Sequence, residues 1–158
     1  MKKQPNKVQP AKPIKIVQDT NQKWYVIALI TICFIFYGNT CLNDYCLDDT
    51  VVIKENSSTQ KGFAGIKEHI QQDLLFGYTH TKGKKAASAG WRPLSLITYS
   101  IEVGIFGPGH PGISHFINVL IFAAVVVLLF LFLKNHLIKN RWIAFFTALL
   151  FAIHPIHT

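Results

Sequence analysis

Ile113–Leu133 reads ISHFINVLIFAAVVVLLFLFL, 21 residues without one charged side chain. At 1.5 Å per residue such a helix is about 31 Å long, the thickness of a hydrocarbon core. The surrounding composition agrees. The chain has 158 residues, 50% of them hydrophobic and only 15% charged, with a mean hydropathy of +0.28; soluble domains carry about 25% charge. The apolar residues are bunched rather than periodic, and the expected class is an all-α membrane protein.

A formal charge of +8 raises the question of nucleic acid. Binding a phosphate backbone needs basic residues gathered on one face. Here they are dispersed over segments that apolar runs separate, so nucleic acid is not an expected partner.

Working outward, residues 1–23 (MKKQPNKVQPAKPIKIVQDTNQK) carry Lys, Gln and Pro with little to bury, and are expected to be a disordered basic tail. The first apolar run follows, from Trp24 to about Leu42, with Trp24 and Tyr25 as interfacial anchors. A cleaved signal peptide is the competing reading. Its basic region would be unusually long, and Gly38-Asn39-Thr40 makes a poor cleavage site. The six lysines before Val26 hold the tail in the cytoplasm by the positive-inside rule.

After Ile113–Leu133 comes a short basic link, Lys134 to Arg141, which is also expected on the cytoplasmic side. A further run, Trp142–Ile153, is too short to cross unless it continues to Thr158. Three spans result, at about 24–42, 113–133 and 142–158. With both basic segments cytoplasmic, the chain crosses an even number of times between them. The run Pro93–Phe106 (PLSLITYSIEVGIF) then does not span, and residues 43–112 form one extracytoplasmic loop. Seven Lys and Arg in that loop oppose this assignment, but long loops translocate largely regardless of charge.

Inside the loop, Leu94, Ile97, Ile101 and Ile105 share one helical face, while Ser95, Thr98, Tyr99 and Glu102 share another. Such a helix lies along the interface or against other helices. A second amphipathic helix is expected through Phe63, Ile66, Ile70 and Leu74, stopping at Gly77. Val51-Val52-Ile53 reads as a strand-like turn, Thr79–Gly90 as a mobile connection, and Asn56-Ser57-Ser58 as a formal glycosylation sequon.

Four groups carry candidate chemistry. Asp44, Asp48 and Asp49 stand where the first run meets water; acids often end a span in this way, but the adjacent pair Asp48-Asp49 also has the fixed placement a general base needs. Arg92 precedes Pro93, which suits the first turn of a helix, so its guanidinium stands where anions are favoured. A lipid-facing interfacial Arg is the other reading. His154 and His157, three apart, offer two metal ligands without a nearby third, or a helix end at Pro155 with imidazoles at the aqueous boundary. His110, His115 and Asn118 flank or enter the central run, with His115 able to line an aqueous cavity and Asn118 to hydrogen-bond a neighbouring helix. Cys33 reads as a packing residue; Cys41 and Cys46 could pair in an oxidising compartment, with free thiols as the default.

The order of motifs is itself informative: a double Asp after the first run, then WRPLSLITYSIE, HPGISHFINVLIF and ALLFAIHPIHT. From about Asp44 to Thr158 this resembles the N-terminal part of the transmembrane and tetratricopeptide-repeat O-mannosyltransferase-like family. The resemblance implies a partial GT-C-type helical bundle belonging to a larger membrane domain, and a segment inactive by itself. It implies transfer of a mannose-like sugar from a polyprenyl-phosphate donor to a hydroxyl acceptor, a protein Ser or Thr. Asp48 and Asp49 would then be catalytic, with Arg92, His154 and His157 near the donor phosphate. No cofactor is fixed, and a divalent metal stays open. The alternative is a small three-span membrane protein that binds a partner or anionic lipid without catalysis.

Overall fold

A computed structural model describes residues 22–79 and 90–154. The expected tail lies outside the described residues except for Gln22 and Lys23. So do residues 80–89 of the expected connection, and 155–158, which include His157. The helices are α1 (Gln22–Tyr37), α2 (Leu47–Asp49), α3 (Ser57–Gln60), α4 (Ile66–Gln71), α5 (Phe76–Thr79), α6 (Pro93–Phe106), α7 (Pro111–Phe132) and α8 (Arg141–Ala152). No strand occurs among the described residues.

Local chemistry sets several of these ends. Pro93 and Pro111 occupy first-turn positions, where a missing N–H costs nothing. Gly107, at φ +83°, takes the left-handed conformation that releases the chain from α6. The Asn140 side chain caps α8 by accepting from Trp142 N at 3.0 Å. α1 runs on through the 3-10 turn Gly38–Leu42 to give 21 helical residues, and α7 through the π turn Leu133–Leu137 to give 27. The expected link of 134–141 is thus mostly helix.

Side-chain pairs fix the topology. Lys134 Nζ donates to Gln22 Oε1 at 2.7 Å, and the rings of Phe34 and Phe116 lie 5.8 Å apart, so α1 and α7 are antiparallel. Tyr25 meets Trp142 and Phe145, whereas Tyr37 Oη donates to Ala152 O at 2.7 Å, so α1 and α8 are parallel. One end of this three-helix bundle therefore carries Gln22, Lys134 and Trp142; the other carries Tyr37, Ser114 and Ala152.

The bundle core holds Leu29, Cys33, Ala123, Val126 and Phe130 with Ala144, Ala148 and Ala152. The three alanines recur every four residues on α8, and their small side chains let its backbone come close to α1 and α7. Large apolar side chains point outward instead: Ile35 is 71% exposed, Leu128 64% and Leu150 65%. A water-soluble protein does not leave such a continuous surface uncovered, because about 25 cal/mol per Å² opposes it. Two helices, Gln22–Leu42 and Pro111–Leu137, are long and apolar enough to cross a bilayer. α8 has 12 residues. Its length of about 18 Å falls short of a full crossing.

The intervening residues pack on α6 as a small polar satellite. Asn56 is fully buried and its Oδ1 caps α3 by accepting from Ser58 N and Thr59 N at 3.1 and 3.2 Å. Thr59 Oγ1 donates to Val52 O at 2.8 Å, and Ser58 Oγ to Glu68 Oε2 at 2.5 Å. His69 Nε2 pairs with Ser100 Oγ of α6 at 2.9 Å. Glycines make the close approaches: a Cβ on Gly65 would stand 1.8 Å from Ser58 O, and one on Gly77 1.9 Å from Asn56 Oδ1.

Several expectations change here. Val51-Val52-Ile53 belongs to a π turn, Thr50–Lys54, with Ile53 buried. A lone strand would have left its N–H groups unpaired, whereas the turn pairs Glu55 N with Thr50 O at 2.8 Å. The second amphipathic helix is broken into the 3-10 turn Gly62–Gly65, α4, and a separate α5. Its face is also different, since Phe63 and Ile70 are exposed and His69 is buried. Gly77 lies within α5 as a packing glycine rather than a stop. Asn56 is no surface sequon, because its side chain is wholly enclosed.

Candidate functional site

α6 has the bounds expected of it, and its two faces are sorted in an informative way. Leu94, Ile101 and Ile105 face outward, while Ser100 and Glu102 are buried with Leu96 and Val103. Ser100 and Glu102 on the inside and an aliphatic stripe on the outside suit a helix whose free side meets lipid or further apolar helices, while the polar Ser95 and Thr98 are exposed as well. This inversion brings Glu102 to the first turn of α7.

There Ser114 Oγ donates to Glu102 Oε1, and both residues are buried. Tyr45 Oη lies 3.3 Å from the same Ser114 oxygen. His115 Nε2 is 3.4 Å from Asp44 O. The acid-bearing segment is therefore tied to α7 at two successive residues. Within the segment, Asp49 Oδ2 accepts from Cys46 N at 3.3 Å, closing the turn that starts α2. Asp48 is exposed and forms no side-chain hydrogen bond or ion pair among the described residues. Asn118, one turn further along α7, faces the Tyr99 hydroxyl of α6.

Electrostatics follow from this enclosure. Burial pushes the Glu102 carboxyl above the usual carboxylate range, against the pull of its Ser114 hydrogen bond and of His115. Burial likewise raises the Tyr99 phenol, with the charges of Asp49 and Glu102 adding to the effect. Tyr45 shifts up for the same first reason, opposed by Ser114 and reinforced by Glu102, Asp49 and Asp44. Each of these groups is thus driven toward its neutral, proton-bearing form.

Beside this cluster opens a cleft of about 290 Å³ lined by Tyr37, Thr40, Asn43, Cys46, His115, Asn118, Val119 and Phe122. Its wall changes from polar groups near the acid segment to apolar ones deeper along α7. A polar rim over an apolar floor can take a molecule with a polar head and a hydrocarbon part.

The remaining candidates sit apart from this cluster. Arg92 is exposed at the N-cap of α6, held between Pro93 and Trp91, whose Nε1 donates to Ile70 O at 3.1 Å. Ten residues of helix separate it from Glu102, about 15 Å along the axis. No hydrogen bond or ion pair among the described residues joins it to Asp48 or Asp49. His154 is exposed just after α8, at the same bundle end as Tyr37. Cys33, Cys41 and Cys46 are free thiols. No group of three His, Cys, Asp or Glu suited to a metal forms among the described residues. Sequence reasoning did not single out Glu102, Ser114 or Tyr45 as a set. A carboxylate alone on an otherwise uncharged helix was the available signal.

Known proteins resemble this chain as follows. It is 31% identical to the Homo sapiens protein O-mannosyl-transferase TMTC1 over 124 residues, which are 77% of this chain and 13% of that protein. Identity to the Homo sapiens protein O-mannosyl-transferase TMTC2 is 35% over 124 residues, 77% of this chain and 14% of the relative. For the Homo sapiens protein O-mannosyl-transferase TMTC3 it is 26% over 133 residues, 84% of this chain and 13% of the relative. No family model matches the chain, and no solved structure matches it. The chain thus spans about 13% of the length of the first of these relatives.

Proposed function

Because the chain belongs to the family of the TMTC protein O-mannosyl-transferases, over a segment that is a small part of those proteins, we propose that it contributes the acceptor-side acid and part of the lipid-facing cavity of a membrane mannosyltransferase. The observation that carries this reading is the docking of Asp44–Asp49 on the first turn of α7, at the mouth of a cleft that is polar outside and apolar within. The donor is a sugar on a polyprenyl phosphate, whose chain would lie along the apolar floor. The acceptor is a protein Ser or Thr hydroxyl. The bundle is a partial GT-C fold with three spans, and the acid segment lies on the extracytoplasmic side.

The two acids divide the work. Asp49 is engaged by its own turn and positions the segment, while Asp48 presents an exposed carboxylate that can take the acceptor's proton. As the hydroxyl oxygen bonds to the sugar's anomeric carbon, the bond from that carbon to the phosphate oxygen breaks, and its electron pair leaves with the phosphate. A phosphate needs positive groups more than a proton at that moment. Arg92, His154 and His157 are the residues proposed to supply them. Arg92 would have to meet the donor from the far end of α6, and so contacts it only across a substrate-sized gap.

The test places Asp48→Asn and Asp49→Asn in the full-length coding sequence and measures transfer of mannose from a polyprenyl-phosphate donor to a Ser/Thr peptide. Loss of at least about a hundredfold for Asp48→Asn is expected, within the range for removing a general base. A smaller loss is expected for Asp49→Asn. Full activity in both variants removes the assignment. Retained vesicle binding without any transfer in the unmodified full-length protein would favour a non-catalytic membrane protein.

A further inference from the structure

Ser114 has one hydroxyl proton, and the geometry spends it on Glu102. Tyr45, whose hydroxyl lies 3.3 Å from Ser114 Oγ, must then be the donor in that second bond. The result is a directed chain, Tyr45 to Ser114 to Glu102, that links the acid-bearing segment through α7 to α6. Two of its three members are buried, Ser114 at 3% and Glu102 at 7% exposure, so no water competes for the inner bond. On the outer side, the segment's second tie is the weaker one from His115 to Asp44 O at 3.4 Å.

We propose that Glu102 is a positioning residue for Asp48 and Asp49: by holding Ser114 as a donor, it obliges Ser114 to accept from Tyr45, and so keeps the acid segment docked on α7. Its significance for sugar transfer rests on the function proposed above, whereas the docking itself does not. The Glu102 carboxyl group has no hydrogen bond to Asp48 among the described residues. It acts through Ser114 and Tyr45.

Cys46, between Tyr45 and the acid pair, is exposed, so a nitroxide attached there is accommodated and its mobility reports on the segment. The experiment uses the full chain in nanodiscs with Cys33→Ser and Cys41→Ser, and follows the mobile fraction of a nitroxide on Cys46. Glu102→Ala removes the acceptor and is expected to raise the ratio of mobile to immobile label about fivefold, the effect of one net hydrogen bond on the undocked population. Tyr45→Phe breaks the outer bond and should raise it equally, with little risk to the fold. Glu102→Gln keeps an acceptor oxygen without the charge and should restore the low mobile fraction.

Unchanged label mobility in Tyr45→Phe overturns the proposal, and so does mobility in Glu102→Gln as high as in Glu102→Ala, which would assign the effect to charge. A role confined to general stability would not let Glu102→Gln rescue while Tyr45→Phe fails. Asp48→Asn, whose carboxylate has no partner among the described residues, should leave label mobility unchanged. Transfer activity is read separately, so failure of the catalytic reading and failure of the docking chain give different patterns.

Discussion

Replacing Gly65 by Ala tests whether the satellite on α6 is as tightly built as described. The added Cβ would stand 1.8 Å from Ser58 O and 2.8 Å from Ser58 C, both backbone atoms. Ordinary contact between such atoms needs more than 3 Å, so α3 or the 3-10 turn Gly62–Gly65 must move by over an ångström. Ser58 is held in place on both sides, its N–H on Asn56 Oδ1 at 3.1 Å and its Oγ on Glu68 Oε2 at 2.5 Å. Relief therefore costs hydrogen bonds as well as packing, and about 2–3 kcal/mol is expected from overpacking alone. That multiplies the open population of the satellite by about 30 to 150. Gly38→Ala is the matched control, since a Cβ there meets nothing within 4 Å. Limited trypsin digestion of the detergent-solubilised chain reads the outcome, because Lys61 and Lys67 are exposed within the satellite and cut only when the backbone opens. Digestion of Gly65→Ala at the Gly38→Ala rate would refute the close approach and the account of the satellite built on it.

Other outcomes follow from the same geometry. Burial holds the His69 imidazole below its ordinary value near 6.5, partly offset by Glu68. The folded state thus binds fewer protons than the unfolded one, so the contribution is complete above pH 6.5 and declines as pH falls below it. Amide hydrogen exchange in α3 and α4 should accelerate as pH falls below 6.5, after correction for intrinsic rates, and His69→Gln should flatten that dependence. Asn56→Ala removes the cap of α3 together with a buried polar group, and a loss of about 1–2 kcal/mol should appear in chemical unfolding. Enzymatic deglycosylation of the chain made in a glycosylating host should not change its mobility, since Asn56 is enclosed. Tyr37→Phe breaks the bond to Ala152 O and should lower unfolding stability by about 1 kcal/mol, with looser protection at the end of α8.

The sequence made the long apolar rods legible because a bilayer imposes one length and one composition, so Ile113–Leu133 could be read without knowing its neighbours. Pro93–Phe106 was legible for a different reason, as Pro at its start and Gly just after its end delimit it chemically. The satellite was not, because most of its buried side chains are polar. Asn56, Ser58, Thr59, His69 and Ser100 hold it together through hydrogen bonds between residues up to 31 apart, and no periodicity encodes such pairings. For the candidate site, Asp44 to Asp49 could be singled out by charge at a membrane edge. Their anchorage on Ser114 and His115 could not, since it depends on how α7 and α6 cross.

The outward stripe of α6 has a bearing on how natural variants of this region are interpreted. A scale trained on water-soluble helices would score changes at Leu94, Ile101 and Ile105 as harmful and a change at Ser100 as mild. Here the ranking reverses: aliphatic swaps on the stripe exchange one oily surface for another, whereas loss of the Ser100 hydroxyl removes a partner of the buried His69, which it meets at 2.9 Å. Tolerance along this helix should therefore follow burial rather than hydropathy.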